Sequence, residues 1–489
     1  MAVPLFRHGF EIVKPHMKTA AQGIAKDVVS RVSSAVMNKM NNGPQEGTGI
    51  VYIANKRKTK RKHDIAFPPM LTQHIIKNRA RKSRKRQRPP RRSPAIIENA
   101  PLEFYIAGSG DHYFDLNNTL LFITCKIVKQ DNTPPPEGAR VSLINYTLST
   151  VFNQVDVTLG DRLVSQSNNL YAYRGYIETI LNYSADTLST QFTGGLFYKD
   201  TAGHHDTRAL GGDNQGFNKI AHMLERGKTI ELLGHLHSDL FFQEKLMLNG
   251  IDLKIKLTRN KDAFCLMSAE AEQYKVQILK ASLFVKRVQI SPAVRIGHAQ
   301  GLLTANAKYA LDRVGLKVYS IAAGSRVCNQ ENLFLGQLPK LVVIGFVDND
   351  AFSGAYDKNP LCFKHNHVNF AALYLDGEQI PTKPFQPDFE NGNAVREYIS
   401  LVNIAGKQNC SSAILINRDE YINGYTLFAF DLTPDGESGS HYSLIRSGNL
   451  RGEIRFSRAL ERTVNMIVYS VFDNIIEINQ RREVLYDYL

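Results

Sequence analysis

The chain has 489 residues, 43% of them hydrophobic, and a formal net charge of +14 at neutral pH. Such a length exceeds one ordinary hydrophobic core, and such a composition excludes a fibrous or wholly disordered chain. No run of eighteen apolar residues occurs, which argues against a transmembrane helix, and five isolated cysteines do not make a disulfide scaffold.

The charge is concentrated. Lys56 to Arg92 carries sixteen Lys or Arg against one acid, Asp64, for about +15. The residues before it sum to +3 and those after it to about −4. A polycation is therefore joined to a near-neutral body.

In chain order, residues 1–54 read as a weakly amphipathic helix and a hinge. Ala21, Ala25, Val28, Val32 and Val36 recur at helical spacing within Lys18 to Met40. Such small residues suit packing on the body better than anchoring in a membrane. Asn41, Asn42, Gly43, Pro44, Gly47 and Gly49 supply the hinge.

Residues 55–100 read as a polybasic, disordered arm. Its first block holds Lys56, Arg57, Lys58, Lys60, Arg61 and Lys62. Its second holds Lys77, Arg79, Arg81, Lys82, Arg84, Lys85, Arg86, Arg88, Arg91 and Arg92. An apolar island with Ile65, Phe67, Met70, Leu71, Ile75 and Ile76 separates them. Charge this dense repels itself and is suited to neutralising double-stranded DNA, with salt-sensitive affinity. Both blocks also fit nuclear-import signals.

From Pro101 the texture changes to short Val, Ile, Leu, Tyr and Phe runs between Gly, Asn, Asp and Pro turns. Strands are expected at 102–107, 120–128, 152–159, 229–233, 252–257 and 277–287. A second set is expected at 315–321, 340–346, 369–375, 426–429, 452–456 and 463–472. The alternation across 453–478 suggests antiparallel sheets with one buried face. Residues 165–223 interrupt the strands: 171–183 is aromatic-rich with helical spacing, and 192–216 reads as a long ordered loop. Residues 301–312 read as a linker or an insertion between the halves. The fold class is all-β, with two sandwiches of similar size, 101–295 and 296–489.

No sequence of a nucleophile elbow, phosphate loop or zinc protease is present, so the expectation is no enzyme, no cofactor and no metal. The nearest candidates for a metal are His235 and His237 with Asp239, and the cluster Cys362, His365 and His367. Val347 to Asp350 resembles a loose acidic loop without the ligands of a calcium site.

Several long stretches carry a resemblance. They are PLEFYIAGSGDHYFDLNNTLL (101–121), the region from Tyr173 to Gly203, and 232–267. In the second half they are LDGEQIPTKPFQPDF (375–389), FAFDLTPD (428–435) and 448–479. Together they resemble the hexon-like major capsid protein of Polinton (Maverick) elements and adintoviruses. The resemblance implies a double jelly roll, a homotrimer with pseudo-hexameric outline, and an icosahedral shell assembled in the host nucleus. Its partners would be neighbouring capsid trimers, penton and minor capsid proteins, and packaged DNA. It implies intersubunit contacts from the long loop of the first jelly roll, for which Tyr171, Tyr173, Tyr176, Phe197, Tyr198, His204 and His205 are the candidates; the equal alternative is that many of these aromatics fill the first domain's own core. The front of the chain resembles the basic core-peptide-like protein of the same elements, which marks a join near Ser93. Two other readings of the residues stay open: an element-derived nuclear protein that binds nucleic acid, and a β-sandwich receptor-binding protein.

Overall fold

The computed structural model describes residues 100–270, 273–408, 411–433 and 444–486, and the backbone of 72–75. The expected helix at 18–40 and the sixteen basic side chains of the arm lie outside the described residues.

The first half is built from β1 (Thr72–Ile75), β2 (Leu102–Ile106), β3 (His112–Lys129), β4 (Val141–Leu143), β5 (Phe152–Leu159), β6 (Arg162–Gln166), β7 (Ile230–His235), β8 (Leu253–Arg259), β9 (Leu266–Ser268) and β10 (Tyr274–Gln289). One sheet runs β1-β10-β3-β7 and the facing sheet β2-β8-β5-β6, with β4 and β9 as a side ribbon. Strand β2, LEFYI, alternates between buried and exposed side chains along its whole length. That period of two puts Leu102, Phe104 and Ile106 into the first core.

The second half contains β11 (Ala307–Ile321), β12 (Val327–Gln337), β13 (Leu341–Asp348), β14 (Val368–Leu375), β15 (Glu378–Phe385), β16 (Leu427–Asp431), β17 (Ser447–Phe456), β18 (Val464–Ile478) and β19 (Val484–Tyr486). Its sheets run β11-β18-β13-β16, with β19 on β18, and β12-β17-β14-β15. All these pairings are antiparallel. If the eight main strands of each half are counted in chain order, both halves show one plan. The first, eighth, third and sixth make one sheet; the second, seventh, fourth and fifth make the other. The chain is a double jelly roll.

Three expectations need correction. Residues 301–312 are not a linker: helix α3 (Pro292–Gly301) ends there and β11 begins at Ala307. (Helices α1, Tyr171–Asn182, and α2, Gln215–Leu224, lie in the interruption of the first half.) Residues 347–350 are not an acidic loop, because β13 ends at Asp348 and a short helix follows at Asn349–Ser353. Asp348 is buried, and its carboxylate faces Lys364 at 2.8 Å and Lys358 at 3.5 Å. Those lysines supply the positive charge that a bound cation would otherwise bring.

The third correction concerns burial. Sheet β11-β18-β13-β16 is covered on both faces along much of its length. In β13, Val342, Ile344 and Phe346 enter the core of the second jelly roll, while Val343 and Val347 enter a separate core between the halves. In β18, Met466 and Val468 go one way, and Ile467 and Tyr469 the other. A strand buried on two faces has no polar side, which is why LVVIGFV and VNMIVYSV read as near-continuous apolar runs.

Candidate functional site

The functional question turns on where the long loop of the first jelly roll goes, and it goes to the second jelly roll. Helix α1 is buried on nearly every side. Tyr173 stacks on Phe352, with ring centroids 5.6 Å apart, and meets Phe363 edge-on. Tyr176 stacks on Phe363 at 6.2 Å and on Phe197 at the same distance. Offset and edge contacts of this kind suit the aromatic quadrupole and add to area burial. Val343, Leu361, Tyr421, Tyr425, Leu427, Ile467 and Tyr469 of the second half complete the same core.

Within this seam lies an ionic cluster with almost no exposure. Arg174 pairs with Asp239 and lies 3.6 Å from Glu178. Glu178 also meets His237 Nδ1 at 3.1 Å, and the Tyr146 hydroxyl meets His237 Nε2. Asp239 accepts a hydrogen bond from the Val314 amide of β11, which ties the cluster to the second half. Burial works against the Arg174 charge, yet the Asp239 and Glu178 carboxylates outweigh it and hold Arg174 above its ordinary value. Burial also opposes the Glu178 charge, but Arg174 and His237 pull that carboxyl below its ordinary value. At Asp239 burial prevails and its carboxyl is raised.

A second polar cluster lies further along the loop. Asp200 accepts from Asn214 Nδ2 at 2.9 Å and from Asn359 Nδ2 of the second half at 3.1 Å. Its backbone carbonyl accepts from the Tyr425 hydroxyl at 2.6 Å. Lys199 pairs with Glu420 at 2.6 Å and donates to the Leu415 carbonyl. Burial pushes the Asp200 carboxyl up to about 6. His205 is packed against Tyr425, its ring centroid 4.8 Å away, and neither ring nitrogen has a hydrogen-bond partner. Burial, with Lys364 and Lys199 nearby, pushes it down to about 3, so its imidazole is neutral at pH 7. Gly424 makes room for it: with φ of +101°, a Cβ there would lie 2.4 Å from the His205 ring.

The seven residues singled out for contacts between subunits therefore divide. Tyr171, Tyr173, Tyr176, Phe197 and His205 are buried within the chain. Their surface is used up in the chain's own cores, most of it between the halves, so a contact with a neighbour is not open to them. Tyr198 is half-buried with Lys219 over its ring, and His204 is exposed beside Asp213. Only these two keep surface that a neighbour could touch.

The candidate metal ligands do not converge. Strand β7 ends at His235, which is exposed, while His237 lies beyond it and points into the seam. His365 stacks on Phe389 with centroids 4.4 Å apart, and its Nδ1 accepts from the His367 amide. Among the described residues no group of three or more His, Cys, Asp or Glu side chains is placed to hold a metal. Cys125, Cys265, Cys328 and Cys362 are buried free thiols. No described helix is long and apolar enough to cross a membrane.

Several apolar side chains are exposed, and no local pattern of residues marks them. Leu335 on β12 is 75% exposed, and Leu444 and Ile445 beside β17 are 90% and 62% exposed. Helix α3 has no buried residue, and Val294, Ile296 and nearby Leu303 face outward.

The fold and seam define a tandem jelly-roll protein without a catalytic constellation among its described residues. Comparison with solved structures gives the same class. The chain is similar to a chain of the Sputnik virophage solved by cryo-EM, with a TM-score of 0.57, 12% identity, and coverage of 91% of this chain and 94% of that one. It is also similar to the mavirus major capsid protein, with a TM-score of 0.50, 9% identity, and coverage of 91% and 97%. At these identities the likeness is one of fold. An uncharacterized protein of Caenorhabditis elegans is 22% identical over 407 residues, which cover 80% of this chain and 94% of that protein. No protein-family model matches the chain.

Proposed function

We propose that this chain is the major capsid protein of a Polinton-like or adintovirus-like element, a structural subunit that forms homotrimers tiled into an icosahedral shell. The observation that carries the reading is the seam: two jelly rolls of one plan share a core, a buried ionic cluster and a buried polar cluster. Two halves joined through a common core, with exposed apolar positions on the outside, suit a unit for repeated assembly. Leu335, Leu444, Ile445 and α3 supply apolar contact area for trimer or inter-trimer surfaces, with Tyr198 and His204 as polar additions. Penton and minor capsid proteins would meet the assembled trimers, in the host nucleus and then in the virion. Electron microscopy of the purified full chain tests this: three-fold, pseudo-hexameric particles or closed shells are expected. A chain that stays monomeric at micromolar concentration would refute it.

The basic tract is the DNA-facing part of the same subunit. Each phosphate it neutralises releases counterions and contributes about 0.9 to the slope of log affinity against log salt. Replacing its sixteen Lys and Arg by Gln should abolish most binding to double-stranded DNA at low salt and flatten that slope. An unchanged slope would remove the tract from DNA binding. Substitution is the right operation here, because deleting 56–92 would also remove β1. The tract by itself also supports a second reading, a nuclear nucleic-acid-binding protein that does not assemble, which the microscopy separates from the first.

A further inference from the structure

We infer that the seam inside the chain is repeated between chains. The outer face of sheet β1-β10-β3-β7 is a docking surface, and its occupant is a second copy of this chain, through the two connections that flank that copy's β16. The inference rests on the reading above of the chain as a shell subunit, and it names the surfaces through which subunits join.

Equivalent parts of the two halves differ in cover. In the second half the outer face of β11-β18-β13-β16 is buried, and the cover comes from the two connections on either side of β7, the sixth main strand of the first half. Residues 167–229, before β7, bring Tyr173 and Tyr176 of α1 into the shared core. Residues 236–252, after β7, bring Asp239 to the Val314 amide, and the Gln243 side chain donates to the Ala310 carbonyl at 2.6 Å. The equivalent sheet of the first half keeps apolar surface open. Leu121 and Ile123 of β3 point into the first core, so Phe122 between them points outward. Leu233 of β7 lies opposite Phe122 and is exposed. Phe284 of β10 meets Phe122 edge-on, ring centroids 6.3 Å apart, and both rings are only half-buried. Lys280 lies over the Phe122 ring at the border of this patch.

The covering elements are duplicated as well. The connections on either side of β16, the sixth main strand of the second half, are residues 386–426 and 432–446. The first contains helix α4 (Val395–Ile404), which packs on β16 and buries Leu401 in the shared core. Its Val395 and Ile399, one turn apart on one side of the helix, are exposed. The second connection ends in Leu444 and Ile445, the exposed pair noted above. One chain therefore holds a sheet face that wants cover and two connections with apolar surface to give. A second copy satisfies both at once, by the contact that already joins the halves. Contact between unlike surfaces is head-to-tail, and a head-to-tail contact closes into a ring where its rotation allows. A symmetric pairing of two sheet faces would instead leave Val395, Ile399 and Leu444 in water.

The test uses the full chain and sedimentation velocity at micromolar concentration. L233D places a charge on the sheet face, and I399D places one on α4. Both side chains are exposed, so thermal midpoints should stay within about 2 °C of the parent's. Each variant alone should be monomeric where the parent is trimeric. An equimolar mixture of the two should give dimers and nothing larger, because one intact face meets one intact helix and the ring cannot close. T124R, opposite Glu231 on the same face, and V395D repeat the experiment at neighbouring positions if an aspartate unfolds its chain. Trimers from either variant alone would overturn the inference, and so would a mixture that stays monomeric. With a trimeric parent, those results remove only these surfaces and leave the assembly reading standing. A parent chain that is itself monomeric would refute the assembly reading, and this inference with it.

Discussion

Replacing Arg174 with Ala should destabilise the chain by about 3–5 kcal/mol, among the largest single effects available in the seam. The cost comes mainly from what is left behind. Arg174 has 1% of its surface exposed and is the cation that Glu178 and Asp239 share. Without it two carboxylates sit in a nearly dry core, with His237 and a backbone amide as their remaining partners. The combined variant R174M/E178Q/D239N should therefore be less damaged than R174A alone, because it removes the charges together. Arg174→Lys should recover only part of the loss, since one ammonium cannot offer two separate guanidinium nitrogens to two carboxylates. Urea unfolding midpoints of the three variants check the ordering. A loss under about 1 kcal/mol for R174A would mean that water reaches the cluster and that it does not lock the halves.

The second large effect is with pH, and three groups with large shifts contribute to it. His205 has an ordinary value of 6.5 and is held at about 3, and His365 is held at about 4. Below pH 6.5 the unfolded chain takes up protons at these two sites and the folded chain does not. Stability is therefore lost as pH falls through that window. Asp200 acts in the opposite sense: its folded value of about 6 lies above its ordinary 3.8, so acidification returns stability between those limits. Between pH 6 and 4 two imidazoles oppose one carboxyl. One uncompensated proton amounts to about 1.4 kcal/mol per pH unit, and His365, which is half-buried, contributes less than its full share. The net expectation is a loss of about 1–2 kcal/mol between pH 7 and pH 4.5. His205→Phe, which keeps the ring against Tyr425, should flatten this dependence. Identical pH profiles for H205F and the parent chain would show that His205 is not responsible.

Parts of this architecture are legible in the residues. Strand β5 is readable because Val155, Val157 and Leu159 alternate with half-buried neighbours, and α1 because its aromatic spacing is helical. Strand β12, VCNQENLFLGQ, is not readable: it is a sheet edge with much of its surface exposed, so no alternation marks it. Strand β1 is obscured by its neighbours in sequence, since four residues between two polybasic blocks read as an island in a disordered arm. The seam is the least legible part. Tyr425 reaches the Asp200 carbonyl across 225 residues, and nothing local in either segment encodes the meeting. Aromatic residues in a long loop signal a large contact area, and that much is correct. They do not say whether the partner is another subunit or the other half of the same chain.

The doubly covered sheet has one more consequence. Its strands β13, β16 and β18 place alternate residues in two different cores, so each strand is a party wall between rooms that both lean on it. Neither jelly roll can open without stripping one face of that wall, and α3, which lies between β10 and β11, contributes no buried residue to it. A force applied across it must shear a hydrogen-bonded sheet instead of turning a hinge, and the two halves should therefore respond to mechanical or thermal stress together.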